Sequence, residues 1–135
     1  MVFITNSPHQ TQKVGKTLAK EIKEGDIVGI FGPLGCGKTT LLKGIFKGLG
    51  IKKSVRSSSF VLMQEYKLKK VNIYHYDLYR IKDKKELFNL GWPASSFIIF
   101  IEWAERVKDF LSFSIRIRLF YEGERRRKIK VEFLR

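Results

Sequence analysis

This 135-residue chain has little cysteine, histidine or proline: one, two and three residues. A single thiol, Cys36, excludes an internal disulfide framework and agrees with a reducing compartment. With only His9 and His75 to join it, the ligands for a structural zinc site are too few. No apolar run approaches the ~20 residues that span a bilayer. The opening Met1-Val2-Phe3-Ile4-Thr5 lacks the basic segment and long apolar stretch of a signal peptide, so the expected address is the cytoplasm. No repeat, low-complexity segment or Pro/Gly/Ser linker divides the chain, and its length suits one domain, residues 1–135. Also missing are an Asn/Thr-Lys-x-Asp segment for guanine selection and an Asp-x-x-Gly after a strand, which argues against a regulatory GTPase. The chain is short for a small-molecule kinase, and no lid segment is visible.

Acidic residues are scarce too: 13 against 27 Lys and Arg, a net charge of +14. Such a field favours polyanionic partners: nucleotides, RNA or an acidic protein surface. A lysine-rich genome or a hot habitat explains a dispersed excess equally well. The one dense cluster, Arg125-Arg126-Arg127-Lys128, reads either as a phosphate or RNA contact or as the solvated turn of a hairpin.

What is present follows an alternating order. Residues 2–5 are β-prone. Ser7-Pro8-His9-Gln10 starts a helix, with Ser7 as N-cap, Pro8 in the first turn and Gln10 closing a capping box. Val14, Leu18 and Ile22 give it an apolar stripe, and Gly25 is expected to stop it. Residues 26–31 form an apolar run suited to a strand buried on both faces. A second helix is expected over 39–49 with Gly50 as its stop. Strands follow at 60–66 and 71–76, a short helix at 83–89, an apolar strand at 97–101 and a short helix at 104–110. A hairpin is expected over 114–121 and 128–133. This pattern predicts an α/β fold: a P-loop NTPase-like three-layer sandwich, its central sheet mainly parallel with antiparallel C-terminal edge strands.

Gly32-Pro33-Leu34-Gly35-Cys36-Gly37-Lys38-Thr39 satisfies G-x-x-x-x-G-K-[ST] between a buried strand and an amphipathic helix. The glycines let successive backbone N–H groups curl into an anion nest, and the helix adds its positive end. Lys38 supplies a point charge for β- and γ-phosphates, and the Thr39 hydroxyl is a ligand for Mg²⁺. A thiol at a helix N-terminus tends toward a lowered pKa, so Cys36 is expected to be reactive, and its alkylation to block nucleotide binding. A tolerated small residue is the simpler reading of the same position.

Phosphoryl transfer also needs acidic groups for the metal and the attacking water. Glu102 ends the strand at 97–101, and Asp77 ends the strand at 71–76, where carboxylates face the ligand crevice of an open α/β sheet. Each is equally placed to cap the next helix. Ser57-Ser58-Ser59-Phe60 reads as a hydroxyl-rich loop near the γ-phosphate or as a plain turn.

The P-loop with Thr40, Gly44 and Gly48-Leu49-Gly50, then Tyr74-His75-Tyr76-Asp77-Leu78-Tyr79-Arg80, Glu86-Leu87, Leu90-Gly91 and Ile101-Glu102-Trp103, resembles the TsaE (YjeE) family. Thr11, Gly15 and Leu18 resemble its opening pattern, and the likeness runs through nearly the whole chain. The resemblance implies a bacterial ATPase that serves threonylcarbamoyladenosine formation at position 37 of tRNA. It would act with the TsaB–TsaD pair, be weak alone and be monomeric when free. It further implies that Leu34, Gly35, Cys36, Gly37, Lys38, Thr39 and Thr40, with Thr11, hold ATP or ADP. Thr39, Asp77 and Glu102 would surround Mg²⁺ and water, with Lys38, Ser59 and Trp103 completing the catalytic set. Arg126 is the arginine assigned to the nucleotide. The chain departs from the family's T-S-P-T-[FY] with Arg56-Ser57-Ser58-Ser59-Phe60, in which Ser59 keeps the last hydroxyl but Ser58 replaces the proline. Pro33 and Cys36 replace the usual Asp and Ala, and the segment 92–97 is shorter than usual. Two rival readings are a small metabolite or nucleoside kinase, which needs an acceptor pocket, and a nucleotide-switched RNA-binding module with salt-sensitive affinity.

Overall fold

The computed structural model describes residues 1–52 and 63–135. In chain order the elements are β1 (Val2–Thr5), α1 (Pro8–Ala19), β2 (Ile27–Phe31), α2 (Lys38–Leu49), β3 (Met63–Lys67), β4 (Asn72–Asp77), α3 (Lys84–Asn89), β5 (Phe97–Glu102), β6 (Ile115–Tyr121) and β7 (Arg127–Phe133), with a single 3₁₀ turn at Ala104–Arg106. No helix among the described residues is long and apolar enough to cross a membrane.

The seven strands form one mixed sheet in the order β1-β7-β6-β2-β5-β4-β3. Parallel pairing is confined to β6, β2, β5 and β4. Antiparallel strands flank them on both sides, β7 and β1 beyond β6, and β3 beyond β4. The sheet is therefore less parallel than its sequence suggests, and the C-terminal hairpin is not the edge. Strand β7 presents an open edge once it folds back on β6, and Val2–Thr5 closes it antiparallel. Pairing between the two ends of a chain leaves no local trace in the sequence.

Strand alternation splits the buried residues into two cores. Ile30, Ile73, Ile98, Phe100, Ile117 and Ile129 point to one face and pack under Leu41, Leu42, Ile45 and Phe46 of α2 and Leu18 of α1. Phe31, Tyr76, Ile99 and Ile101 point to the other, against Leu87 of α3 and the segment carrying Ala104, Val107 and Phe113. The stripe of Val14, Leu18 and Ile22 joins this core, and helices α1 and α2 also meet at small residues. A Cβ at Gly15 would stand 2.5 Å from the Leu41 carbonyl oxygen, and one at Gly44 would overlap the Gln12 backbone. Glycine at these two positions lets the helices touch, which seats the start of α2 against the sheet.

Ser7 caps α1 as expected, accepting from the Gln10 N–H at 3.1 Å. Gln10 reaches one residue further back than a capping box requires, its Oε1 accepting from the Asn6 N–H at 2.7 Å. The helix ends at Ala19, well before Gly25, and Ile22 is buried from the turn beyond it. Gly25 instead sits in the turn before β2, donating its N–H to the Phe97 carbonyl at 2.7 Å. Asp26 is buried there by three donors: the Lys23 N–H, the Ser114 hydroxyl and the Arg135 guanidinium. The helix expected over 104–110 shrinks to the 3₁₀ turn, because its side chains serve the sheet face below rather than a helical stripe.

Candidate functional site

The loop from Gly32 to Thr39 runs from the end of β2 into α2. Gly32, Gly35 and Gly37 all have positive φ, at 151°, 76° and 102°, a region open to glycine and costly for most side chains. Gly37 is also the N-cap of α2, and no side chain caps that helix. Its first N–H groups are thereby left for an outside acceptor. Two contacts hold the loop from its flanks. The Gly32 N–H donates to Glu105 Oε2 at 2.9 Å, and the Tyr121 hydroxyl donates to the Leu34 carbonyl at 2.7 Å.

The acidic side is assembled by register. In the parallel ladders Asp77 lies opposite Glu102, and Glu102 opposite Ile30, so the carboxyl ends of β4, β5 and β2 finish in one row. Both carboxylates therefore emerge beside the loop that continues β2. Thr39 donates its hydroxyl to Glu102 Oε1 at 3.2 Å, and His75 Nε2 lies 2.7 Å from Oε2 of the same carboxylate. Asp77 accepts from the Tyr79 N–H at 3.2 Å, which turns the chain sharply after β4.

Lys38 is almost wholly buried. Its ammonium donates to the carbonyl of Gly32 and, at 3.4 Å, to that of Pro33, and stands 3.4 Å above the centre of the Trp103 ring. Trp103 reaches that position through a left-handed backbone, φ 61° and ψ 43°, a strained choice for a bulky residue. Burial pushes the Lys38 ammonium below its usual range, partly offset by nearby Cys36, Glu105, Glu102 and Asp77. Burial likewise raises the Asp77 carboxyl, with Glu102 adding to the rise and Tyr79, His75 and Lys38 opposing it.

Cys36 reverses the expectation of a reactive thiol. Its side chain is fully buried under the loop, and burial raises its pKa despite Lys38. The thiol lies against Gly32, where an added Cβ would meet its sulfur, so it packs rather than presents.

Two hollows adjoin the loop. One, of about 320 Å³, is lined by Leu34, Gly35, Gly37, Lys38, Thr39, Thr40, Asp77, Glu102 and Trp103. The other, of about 420 Å³, lies between the start of α1, the loop and the β6–β7 turn, and includes Thr11, Gly35, Cys36, Gly37, Thr40, Arg125 and Arg127. Nearly every site residue expected from the sequence thus borders one of them. Among the described residues Arg126 is the exception, and its neighbours Arg125 and Arg127 border the hollow instead. Arg127 is partly engaged there, donating to three carbonyls of its own turn and stacking 4.5 Å over Tyr121. Thr11 borders the hollow, but its hydroxyl is bound to that of Thr5 at 2.7 Å. Ser59, and with it the loop at 56–60, lies outside the described residues. His75 stands in the motif that carries the resemblance but was given no role at the site, and Glu105 and Tyr121 were not singled out in the sequence. The period-two spacing of His75 and Asp77 on one strand was the available signal for the first.

The uncapped glycine-rich loop and a buried ammonium whose partners among the described residues are carbonyls and a ring fit a polyphosphate. The oxygen donors of Thr39, Asp77 and Glu102 fit a hard cation such as Mg²⁺, which is usually held by one or two carboxylates together with substrate phosphates. No group of three or more His, Cys, Asp or Glu among the described residues is arranged to hold a metal unaided.

Comparison with known proteins places the chain in a family. The family model TsaE, described as threonylcarbamoyl adenosine biosynthesis protein TsaE, matches residues 5–129. The chain is similar to the tRNA threonylcarbamoyladenosine biosynthesis protein TsaE of Rickettsia felis, 40% identical over 82% of this chain and 67% of that protein. It is 36% identical to that of Rickettsia typhi over 94% of this chain and 92% of the relative. The crystal structure of Bacillus subtilis YdiB superposes with a TM-score of 0.76 at 30% identity, covering 97% of this chain and 82% of that one. The chain belongs to the TsaE family of threonylcarbamoyl adenosine biosynthesis proteins.

Proposed function

We propose that this chain, as one domain over residues 1–135, binds ATP with Mg²⁺ and hydrolyses it as a subunit of the bacterial machinery that makes N6-threonylcarbamoyladenosine at position 37 of tRNA, acting with TsaB and TsaD. The observation that carries this reading is the meeting of Lys38 and Thr39 with Asp77 and Glu102 around one hollow. Two elements far apart in sequence there supply a phosphate cradle and an acidic wall.

Lys38 rests on the Gly32 and Pro33 carbonyls and on the Trp103 ring. Phosphate oxygens are stronger partners than carbonyls, so Lys38 exchanges these contacts for the β- and γ-phosphates. The N–H groups at Gly35 to Thr39 and the positive end of α2 face the same anion. A bound Mg²⁺ would neutralise phosphate charge as the γ-phosphoryl leaves. Thr39, Asp77 and Glu102 would hold it, and the two carboxylates would orient the attacking water. Trp103 closes the hollow beside Glu102 and keeps bulk water from Lys38. Arg125 and Arg127, at the mouth of the neighbouring hollow, would meet the rest of the nucleotide.

The free protein is expected to be a cytoplasmic monomer whose turnover is weak until its partners are added. The test is ATP turnover with and without TsaB–TsaD from the same organism, alongside threonylcarbamoyl transfer to tRNA. Stimulated turnover and sustained transfer are expected only when all three are present. Turnover that answers to a small acceptor molecule and ignores TsaB–TsaD would overturn the reading in favour of a kinase.

A further inference from the structure

Strand β4 sends two side chains toward α2 near the site. Asp77 opens into the hollow, whereas His75, two residues earlier and on the same face, stops one layer deeper. Its ring is buried, and Phe46 of α2 stands edge-on to it at 5.8 Å and 89°. Its Nε2 is 2.7 Å from Glu102 Oε2. Its other nitrogen, Nδ1, is buried with no hydrogen-bond partner among the described residues.

We infer that His75 is a positioning residue for Glu102, donating its Nε2–H to Oε2 and so keeping Oε1 turned toward Thr39. This rests on the reading of Glu102 given above. An ionised carboxylate has no proton to give, so the shared hydrogen belongs to the ring at Nε2. A second proton at Nδ1 would be a buried N–H with no acceptor, a rarer and costlier orphan than a bare lone pair. The nitrogen that has an acceptor, Nε2, is therefore the one that carries the hydrogen. Glu102 is as buried as His75. The final torsion of a glutamate is broad and nearly two-fold, so nothing intrinsic to the side chain decides where its oxygens point. Here each oxygen has a different donor: His75 holds Oε2 from beneath, and the Thr39 hydroxyl meets Oε1 at the hollow. Phe46 fixes the plane of the ring, which fixes the direction of its N–H. Outer partners that orient a ligating carboxylate typically matter by about 10- to 100-fold.

A merely structural histidine would make many of the same contacts, so the test uses readouts that separate the two. The full chain, labelled with ¹⁵N in its two histidines, gives the ring tautomers without nucleotide or turnover, with exposed His9 as internal reference. The expected result is hydrogen at Nε2 and none at Nδ1 of His75, with that hydrogen exchanging faster in Glu102→Ala. ATP turnover by His75→Leu should fall about 10- to 100-fold, with KM for Mg·ATP and the ADP dissociation constant within about threefold of the parent. His75→Gln, whose side-chain N–H₂ reaches the same oxygen, should recover turnover to within about threefold. Hydrogen at Nδ1, parental turnover in His75→Leu, or loss of ADP affinity together with turnover would each overturn the inference. Should His75→Leu not fold, the tautomer and the glutamine variant still decide it. Parental turnover in Glu102→Gln would instead sink the reading of Glu102, and this inference with it. An inactive Glu102→Gln beside a ring protonated at Nδ1 would sink the His75 inference alone.

Discussion

The two sides of the hollow are built in opposite ways. The phosphate-facing side is eight consecutive residues whose shape comes from three glycines at positive φ and the start of one helix. The acidic side is two single residues, Asp77 and Glu102, brought abreast by the pairing of β4 with β5 and of β5 with β2. The first is a local conformation and the second a consequence of register. A loop of this kind binds because of its backbone, so it tolerates Pro33 and Cys36. The acidic wall depends on two side chains, and a one-residue slip in either strand would turn them to the opposite face. Even their support differs. The loop is steadied by contacts from its flanks, Glu105 and Tyr121, whereas Glu102 is held from below by His75.

Substitutions can break the two sides separately. Lys38→Ala should have the largest effect, weakening Mg·ATP binding by about 100-fold or more, because the charge-assisted bonds to phosphate go with the ammonium; calorimetric titration measures it. Glu102→Ala and Glu102→Gln should leave nucleotide affinity within about threefold while turnover falls by about 100-fold, a loss confined to the chemical step. Equal losses of affinity in the lysine and glutamate variants would show that the sides do not act separately. A third measurement concerns the interior of the loop. Native Cys36 should react with an aromatic disulfide reagent about 100-fold more slowly than in the urea-unfolded chain, since a buried thiol with a raised pKa must wait for the loop to open. Fast reaction in the folded state would return the thiol to the loop surface.

The smallest effect is on stability. Burial raises the Asp77 carboxyl above its usual 3.8. The folded state therefore holds that proton more tightly than the unfolded chain does. Above the raised pKa the folded protein carries a carboxylate that burial disfavours, a penalty fully present at neutral pH. It fades as pH falls through the raised pKa and is gone once both states are protonated. Asp77→Asn, which keeps an oxygen for the Tyr79 N–H, should raise the melting temperature of the nucleotide-free protein by about 1–3 °C at pH 7 and hardly at all near pH 4. A gain independent of pH would mean that the charge of Asp77 is not what the fold resists.

The elements themselves were largely legible. The strands at 27–31 and 97–102, the helix at 38–49 with Gly50 in a left-handed cap, and the hairpin all declare themselves through apolar runs, periodicity and turn residues. The misreadings share one cause, a burial surface that the local pattern does not reveal. Helix α1 looked longer because Ile22 continued its stripe, yet Ile22 is buried from a turn. The helix expected over 104–110 dissolved because Val107 and Phe113 cover the sheet rather than a helical neighbour. Arg126 stands between two other arginines, and only the folded β6–β7 turn shows that those neighbours are the ones at the hollow.

The order of residues alone marked the glycine-rich loop and the helix that follows it, because a glycine's freedom and the start of a helix act within a few residues of each other. It also marked Asp77 and Glu102 as strand-end acids. Tertiary structure decided everything that depends on neighbours distant in sequence. It set β1 on β7, closed α1 on α2 through glycines, buried Cys36, laid Trp103 over Lys38 and placed His75 beneath Glu102. Such contacts follow from register and packing, which belong to the whole sheet rather than to any one segment of it.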